Sequence, residues 1–450
     1  MKVSKFGGTS LADAGQIKKV CDIILSDPER RLIVVSAPGK RFRDDIKVTD
    51  LLIKCAKKYL ECGCAQEEVE SIVERYAEIG RELNLSDKIA KAVKDDLLRR
   101  LSGNTSDKDR FIDCLKAAGE DNCAKLVAEY LQSIGVFARY VDPKSAGMLL
   151  SDEYGNARVL PESYEKLALL KDAEGILIFP GFFGYSRTGE VVTFPRGGSD
   201  ITGSILAASV RADMYENFTD VDSVFAANPN VVSNPKAISV LTYREMRELS
   251  YAGFSVLHEE TLEPVYRTGI PVCIKNTNNP KAPGTMIVPR RETRNGPVVG
   301  IASDNGFCCI YISKYLMNRE IGFGRKVLQI LEEESISYEH VPSGIDNISI
   351  ILREKQLAKG DEERIIARIK NELAVDDIFV EHGLALVMVV GEGMMHTVGV
   401  AARATGAFAR AGVNIEMINQ GSSEVSIMFG VKSSDADNAV RALYDEFFGK

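Results

Sequence analysis

The sequence predicts an α/β protein in which a doubly wound, mainly parallel sheet is followed by two ferredoxin-like βαββαβ units. Three observations carry that expectation: two glycine pairs set where a strand gives way to a helix, a continuous β-branched strand between amphipathic helices, and an internal repeat in the last third of the chain.

The first glycine pair lies in Lys5-Phe6-Gly7-Gly8-Thr9-Ser10, directly after an opening strand, and Ile17, Val20, Cys21 and Ile24 then recur at helical spacing. Residues 31–37 form an apolar run of the kind buried on both faces of a parallel sheet. From about 50 to 101 the chain is highly charged, with apolar residues at i, i+3 and i+4, which predicts a helical excursion placed as a lid over the site. A helix over 120–134, strands over 136–141 and 175–183, and a hairpin over 185–194 turning at Thr188-Gly189 follow. The second glycine pair, Arg196-Gly197-Gly198-Ser199-Asp200, opens onto a helix over 201–210, and the alternation continues to a strand over 272–275 and a turn-rich exit over 280–284.

Beyond that exit the chain repeats itself. Gly322 and Gly399, Glu339 and Glu416, Gly344 and Gly421, and Ser349-Ile350 and Ser426-Ile427 all stand 77 residues apart. Each copy reads strand, loop, helix, strand, tight turn, strand, helix, the order of a split βαβ unit. The expected domains are 1–295, 303–380 and 381–450.

Composition excludes several function classes. A chain of 450 residues needs more than one core. A net charge of −8 leaves no basic footprint for nucleic acid or an anionic membrane surface, so an anionic substrate must be held by local positive groups. Nine cysteines, an odd number without regular spacing, read as reduced thiols, and Cys62-Gly63-Cys64 lacks the Cys or His partners that zinc requires. The opening residues run straight into a strand without an apolar signal region, so a cytoplasmic protein is expected, without membrane or nucleic-acid partners.

The glycine pairs combine backbone that can approach an anion closely with a cation alongside, each at the N-terminal end of a helix. The first is not a Walker A loop, because Lys5 precedes the glycines on the strand, and neither is a G-x-G-x-x-G fingerprint. A Gly-Gly after a strand is also an ordinary tight turn, and Asp200 at a helix start is also an ordinary N-cap. Arg196 can fork onto a carboxylate or phosphate, with Ser199 and the amides of Gly197 and Gly198 as neutral donors.

These stretches, together with Val35-Ser36-Ala37, Val48-Thr49-Asp50-Leu51-Leu52, Gly119-Glu120, Thr219-Asp220-Val221-Asp222 and Lys275-Asn276-Thr277, resemble the aspartate kinase family in its monofunctional form with tandem C-terminal ACT domains. The resemblance covers nearly the whole chain in order. It implies the amino acid kinase fold, a three-layer sandwich around a mainly parallel sheet, and transfer of the ATP γ-phosphoryl group to the side-chain carboxylate of L-aspartate, with Mg²⁺ as cofactor and no metal ligand assigned to the protein. Carried over by position, Lys5 and Asp200 are the catalytic pair. Lys5, Phe6, Gly7, Gly8, Thr219, Asp220, Phe225, Asn228, Pro229 and Asn230 fall where the nucleotide is held. Ser36, Thr49, Glu120, Arg196, Gly197, Gly198 and Ser199 resemble the aspartate-binding positions, with Arg196 suited to a carboxylate and Glu120 to the α-ammonium. Two departures stand out: Ser255 where a nucleotide-contacting lysine is common, and Phe194-Pro195 where Leu-Gly is typical, which implies a stiffer loop.

ACT domains of this family pair to form an amino acid site, which implies a homodimer through these units and leaves a dimer of dimers open. Met317, Gly322, Phe323, Gly324, Ser343, Gly344 and Asp346 are the expected effector positions, for L-lysine or alternatively L-threonine. Another carboxylate kinase of the same fold would share the glycine cradles without the paired ACT units, and a noncatalytic amino acid sensor would keep the units without the cradles.

Overall fold

The computed structural model describes residues 1–254, 256–257, 259–292, 296–357, 360–421 and 425–449. They form two compact units, the first comprising Met1–Val224, Ala237–Ser250 and Ser255–Arg291, the second Phe225–Lys236, Tyr251–Phe254 and Glu292–Lys450.

Up to residue 288 the chain runs β1 (Lys2–Phe6), α1 (Ala14–Leu25), β2 (Arg30–Val35), α2 (Val48–Cys62), α3 (Gln66–Glu82), α4 (Lys88–Leu101), α5 (Lys108–Lys116), α6 (Ala118–Ser133), β3 (Ala138–Tyr140), α7 (Pro143–Ala146), α8 (Pro161–Ala168), β4 (Ile176–Pro180), β5 (Phe183–Tyr185), β6 (Val191–Thr193), α9 (Gly198–Val210), β7 (Met214–Thr219), β8 (Val224–Phe225), β9 (Ala237–Ile238), β10 (Val240–Thr242), α10 (Tyr243–Tyr251), α11 (Glu263–Thr268), β11 (Val272–Asn276) and β12 (Thr285–Val288). The main sheet of the first unit has the order β10-β12-β11-β7-β1-β2-β4-β3. Every neighbouring pair is parallel except β11 with β12. The order reverses at β1: the chain leaves it for β2, β3 and β4 on one side and returns as β7 on the other. In an open parallel sheet a ligand crevice forms outside the carboxyl ends of the strands at such a point.

The charged stretch expected as a lid is instead a core layer. The apolar faces of α2, α3 and α4, through Leu52, Cys55, Val69, Ile72, Tyr76, Ile79, Val93 and Leu97, are buried in one cluster with Ile33, Val35 and Phe6 of the sheet. Amphipathic periodicity marks a buried stripe but not what covers it, and here the stripe joins the same core that α1 and α6 share with the sheet. The predicted strand over 175–183 is split at Phe182, whose backbone is left-handed (φ 74°), so β4 ends before the β5–β6 hairpin begins.

The start of α10 is fixed by a capping box. Thr242 Oγ1 accepts from the Glu245 amide at 3.2 Å while Glu245 Oε2 accepts from the Thr242 amide at 2.9 Å. The same carboxylate, fully buried, pairs with the nearly buried Arg291. Glu245→Ala would remove a buried ion-pair partner of that guanidinium as well as open the cap, so we expect a loss of about 3–5 kcal/mol in urea unfolding.

The second unit holds β13 (Gly300–Ser313), α12 (Phe323–Glu333), β14 (Asn347–Arg353), α13 (Asp361–Leu373), β15 (Asp377–Val390), α14 (Val400–Arg410), β16 (Met417–Asn419), β17 (Ser426–Lys432) and α15 (Ala436–Phe448). The repeat is visible in α12 and α14, whose first residues, Phe323 and Val400, keep the 77-residue offset. The antiparallel sheet has the order β14-β13-β15-β17-β16. Its two central strands each serve both copies. Ile310 and Ile312 of β13 pack with α12 and α13, whereas Ile301, at the start of the same strand, packs with Val387 and Val389 of β15 under α14 and α15. The expected boundaries at 303 and 381 fall inside these shared strands.

Candidate active site

The β1–β7 register sets the centre of the site. Lys5 lies opposite Asn217, between the pairs Ser4–Glu216 and Phe6–Phe218. Because side chains alternate across a strand, Phe6 and Phe218 stack in the helical core with centroids 4.7 Å apart, while Lys5 and Asn217 share the other face. There Lys5 Nζ forms an ion pair with Asp200 Oδ1, and Asn217 Nδ2 donates to that same oxygen at 2.8 Å. Lys5 Nζ also lies 3.5 Å from Asn217 Oδ1. Lys5 is only 7% exposed, so the cation is held in a largely dry position.

Asp200 reaches Lys5 because α9 starts three residues before the predicted 201. Gly197 is the N-cap, with a left-handed φ of 83° that favours glycine, which makes Asp200 the third helical residue. Its carboxylate therefore sits in the first turn, where the helix dipole favours negative charge, and bonds Lys5 and Asn217 instead of capping. Ser199 is buried beside Gly181 at the end of β4, where a Cβ on the glycine would lie 2.6 Å from the serine Cβ. Arg196 is exposed and, among the described residues, has no ion-pair or hydrogen-bond partner. The Phe194-Pro195 departure is anchored: Phe194 is buried and its amide donates to the Phe182 carbonyl at 2.9 Å.

The first cradle is a 3₁₀ turn, Gly8–Leu11. The Gly7 amide is committed to the Phe218 carbonyl at 3.1 Å, which leaves the opening amides of the turn, those of Gly8 and Thr9, without intrahelical partners. The turn rests on the loop after β2: the Gly39 amide donates to the Gly8 carbonyl at 2.8 Å, and Ser10 Oγ meets Thr277 Oγ1 at 2.7 Å beyond β11. The buried Arg75 of α3 donates to the Gly39 carbonyl at 2.7 Å and pairs with Asp45 at 2.9 Å, holding that loop in place. Burial alone would raise the Asp45 carboxyl, but Arg41 and Arg75 bring it well below the usual range. A Cβ on Gly39 would lie 2.5 Å from the Gly8 carbonyl carbon. Gly39→Ala should therefore displace the cradle and lower kcat by about 10–100-fold, with the far-UV spectrum and melting cooperativity retained.

The remaining positions border the same edge. Ser36 follows β2, its amide bonded to the Phe6 carbonyl at 3.2 Å, and Thr49 is the second residue of α2, whose first amide donates to the Pro38 carbonyl at 3.1 Å. Glu120 sits in the first turn of α6, 5% exposed, and its Oε2 has no hydrogen-bond partner among the described residues. Burial pushes its carboxyl up to about 8, against the opposing pull of the Ala37 amide and, more weakly, Lys116 and Lys47. Thr219 ends β7, its hydroxyl 3.2 Å from the exposed Asp220 carboxylate. Phe225 and the Asn228-Pro229-Asn230 turn, in which Asn228 Oδ1 accepts from the Asn230 amide at 2.9 Å, are grouped with the second unit. Ser255 lies outside the described residues.

Sequence reasoning missed Asn217 and Gly39. The available signal for Asn217 was two consecutive polar residues, Glu216-Asn217, inside a buried strand.

A model of the amino acid kinase family matches residues 1–276, and an ACT domain model matches 387–447. Aspartokinase 3 of Bacillus subtilis is 61% identical over 448 residues, covering 100% of this chain and 99% of that protein. The chain belongs to the aspartokinase family. Among solved aspartokinase structures, that of Clostridium acetobutylicum aspartate kinase superposes with a TM-score of 0.87 at 41% identity, covering 99% of this chain and 100% of the other. E. coli aspartokinase III in complex with aspartate and ADP, described as an R-state, gives 0.81 at 28% identity with both chains fully covered. The aspartokinase assignment accounts for the mainly parallel sheet and the ACT repeat together.

In the second unit, the side chains of Met317 and Phe323 are buried in the core with Val327 and Ile350, so the exposed part of the expected effector surface is Gly322, Ser343 and Gly344, with Gly324 half-buried. Asp346 Oδ1 accepts from the Leu316 amide at 2.9 Å and its carbonyl accepts from Lys314 at 2.8 Å, joining the two loops. Cys62 and Cys64 are exposed free thiols. Among the described residues, no group of three or more His, Cys, Asp or Glu side chains could hold a metal ion, and no helix is long and apolar enough to cross a membrane.

Proposed function

We propose that the site transfers the γ-phosphoryl group of ATP to the side-chain carboxylate of L-aspartate, giving 4-phospho-L-aspartate and ADP. The observation that carries this reading is the buried Lys5, shared with Asp200 and Asn217 where the strand order reverses. The nucleophile needs no general base, since an aspartate side chain with a pKa near 3.9 is ionised at neutral pH. The protein must instead position two anions and offset their charge. Lys5 is fixed by Asp200 to face the transferred phosphoryl group, while the free amides of the Gly8 turn and the N-terminus of α9 offer donors to phosphate oxygens. Arg196, exposed and without a partner among the described residues, suits the α-carboxylate, and the Glu120 oxygen that likewise has none suits the α-ammonium. Mg²⁺ would offset phosphate charge, and with no cluster of protein ligands among the described residues it would arrive mainly on the nucleotide. The aspartate and ADP named for the E. coli enzyme support this assignment.

Regulation by an amino acid belongs to the same reading. L-lysine is favoured, with L-threonine as the alternative, because a relative is named as lysine-sensitive and an E. coli aspartokinase III structure contains lysine. A homodimer through the ACT units is supported by Ile321 and Val398, equivalent apolar residues that stand wholly exposed just before α12 and α14. ADP release measured with L-aspartate, with L-glutamate and without acceptor tests the core claim. Release above background with L-aspartate alone is expected. Equal release with L-glutamate would favour another carboxylate kinase, and none with either would leave the amino acid sensor.

A further inference from the structure

The chain passes from the first unit to the second inside α10, between Ser250 and Tyr251. The helix starts in the Thr242–Glu245 capping box, itself tied to Arg291. It ends on Tyr251, whose hydroxyl donates to Glu339 Oε2 at 2.6 Å and lies 3.2 Å from His340 Nε2, with the two rings edge to face at 5.9 Å. Both partners belong to the short extended stretch that leads into the loop at 343–346. Glu339 and His340 bond Ile351 of β14, the Ser349 amide donates to the Pro342 carbonyl at 2.9 Å, and Ser343 bridges Ile348. Asp346 and Ile345 then accept from the amides of Leu316 and Asn318, so the two expected effector loops and residues 339–342 form one hydrogen-bonded piece.

Resting on the reading that these loops take an amino acid effector, we infer that Tyr251 is a positioning residue. It ties the end of α10 to the stretch carrying the effector loops, so that a rearrangement of those loops is conveyed to the helix. A helix of nine residues fixed at one end by a cap and a buried ion pair acts as a stiff rod, so displacement at its far end is not absorbed locally. The tie is selective. Glu339 keeps Arg353 at 3.5 Å and His340 keeps Asn419 at 3.3 Å when the tyrosine hydroxyl is removed, so Tyr251→Phe deletes the hydrogen-bonded link, keeps the ring contact with His340 and does not strand its partners.

The experiment compares the parent enzyme with Tyr251→Phe, Glu339→Gln and Glu339→Ala, measuring aspartate-dependent ADP release with and without saturating L-lysine or L-threonine. In Tyr251→Phe, kcat and KM without effector should stay within about twofold of the parent, while fold-inhibition falls by about fivefold or more toward one. Glu339→Gln, which keeps an acceptor for the hydroxyl, should retain most of the inhibition that Glu339→Ala loses. Hydrogen exchange of residues 243–251 should respond to effector in the parent and not in Tyr251→Phe. Parental inhibition in Tyr251→Phe, or a parent whose rate and α10 exchange are both indifferent to the two amino acids, would overturn the inference. Absence of ADP release from the parent would instead count against the kinase reading, and the exchange measurement would still decide the tie.

Discussion

Lys5→Ala should lower kcat by about 10²–10³-fold or more while leaving the enzyme folded. The lysine is the cation of the first cradle, it is nearly buried, and among the described residues its charge is shared with one carboxylate, that of Asp200. Transfer between a phosphate and a carboxylate crowds negative charge, and a preorganised ammonium in a dry position stabilises that arrangement more than one in water can. Because the effect lies in the transition state, aspartate binding measured by calorimetry should change far less than turnover. Asp200→Asn offers a companion: Lys5 stays in place through Asn217 but loses the charge that orients it, so a smaller fall in kcat is expected. Turnover in Lys5→Ala within tenfold of the parent would mean that β1 and α9 do not frame the phosphoryl site.

Glu120→Gln should raise the KM for L-aspartate by about 100-fold and, without ligand, raise thermal stability at alkaline pH. The carboxyl is buried, its Oε2 has no partner among the described residues, and burial lifts it to about 8 against an ordinary value near 4.5. A carboxyl whose folded-state value is raised contributes stability that is complete below about 4.5 and is lost as the pH climbs through about 8, since ionisation is easier in the unfolded chain. The glutamine variant carries no such cost. Its melting temperature should exceed that of the parent at pH 8.5, with the difference vanishing toward pH 5. An incoming ammonium supplies the missing partner, and a charge-assisted bond of this kind contributes roughly 2–3 kcal/mol. Aspartate should therefore stabilise the parent much more than the variant, and kcat/KM for aspartate should increase with pH through the region near 8. A variant with the parent's KM would remove Glu120 from the aspartate site.

What could be read from the sequence was what is local. The two cradles announce themselves because glycine, a cation and a following helix are contiguous, and the 77-residue repeat survives as equal spacing in α12 and α14. Asn217 could not be placed, because its meeting with Lys5 depends on which residue of β7 stands opposite which residue of β1, a choice made across 212 residues. Gly39 was invisible for a similar reason: it is required by the closeness of Gly8, not by its own turn. The charged helices were recognised as helices, yet their task was misjudged, since periodicity shows a buried stripe without naming the surface that buries it. Asp200 was seen at a helix start, but its role turned on where that helix begins, which Gly197 settles by adopting a left-handed backbone.

The shared strands have a consequence for how the regulatory half can be dissected or inherited. Since β13 and β15 each run unbroken from one core into the other, no single cut frees a self-sufficient copy. A fragment beginning at 381 would leave behind Ile301 and the neighbouring backbone that complete its own sheet, and a fragment ending there would lose the continuous beam that braces its partner. The duplicated halves are thus interlaced like clasped fingers, and selection would be expected to gain, lose or exchange them together.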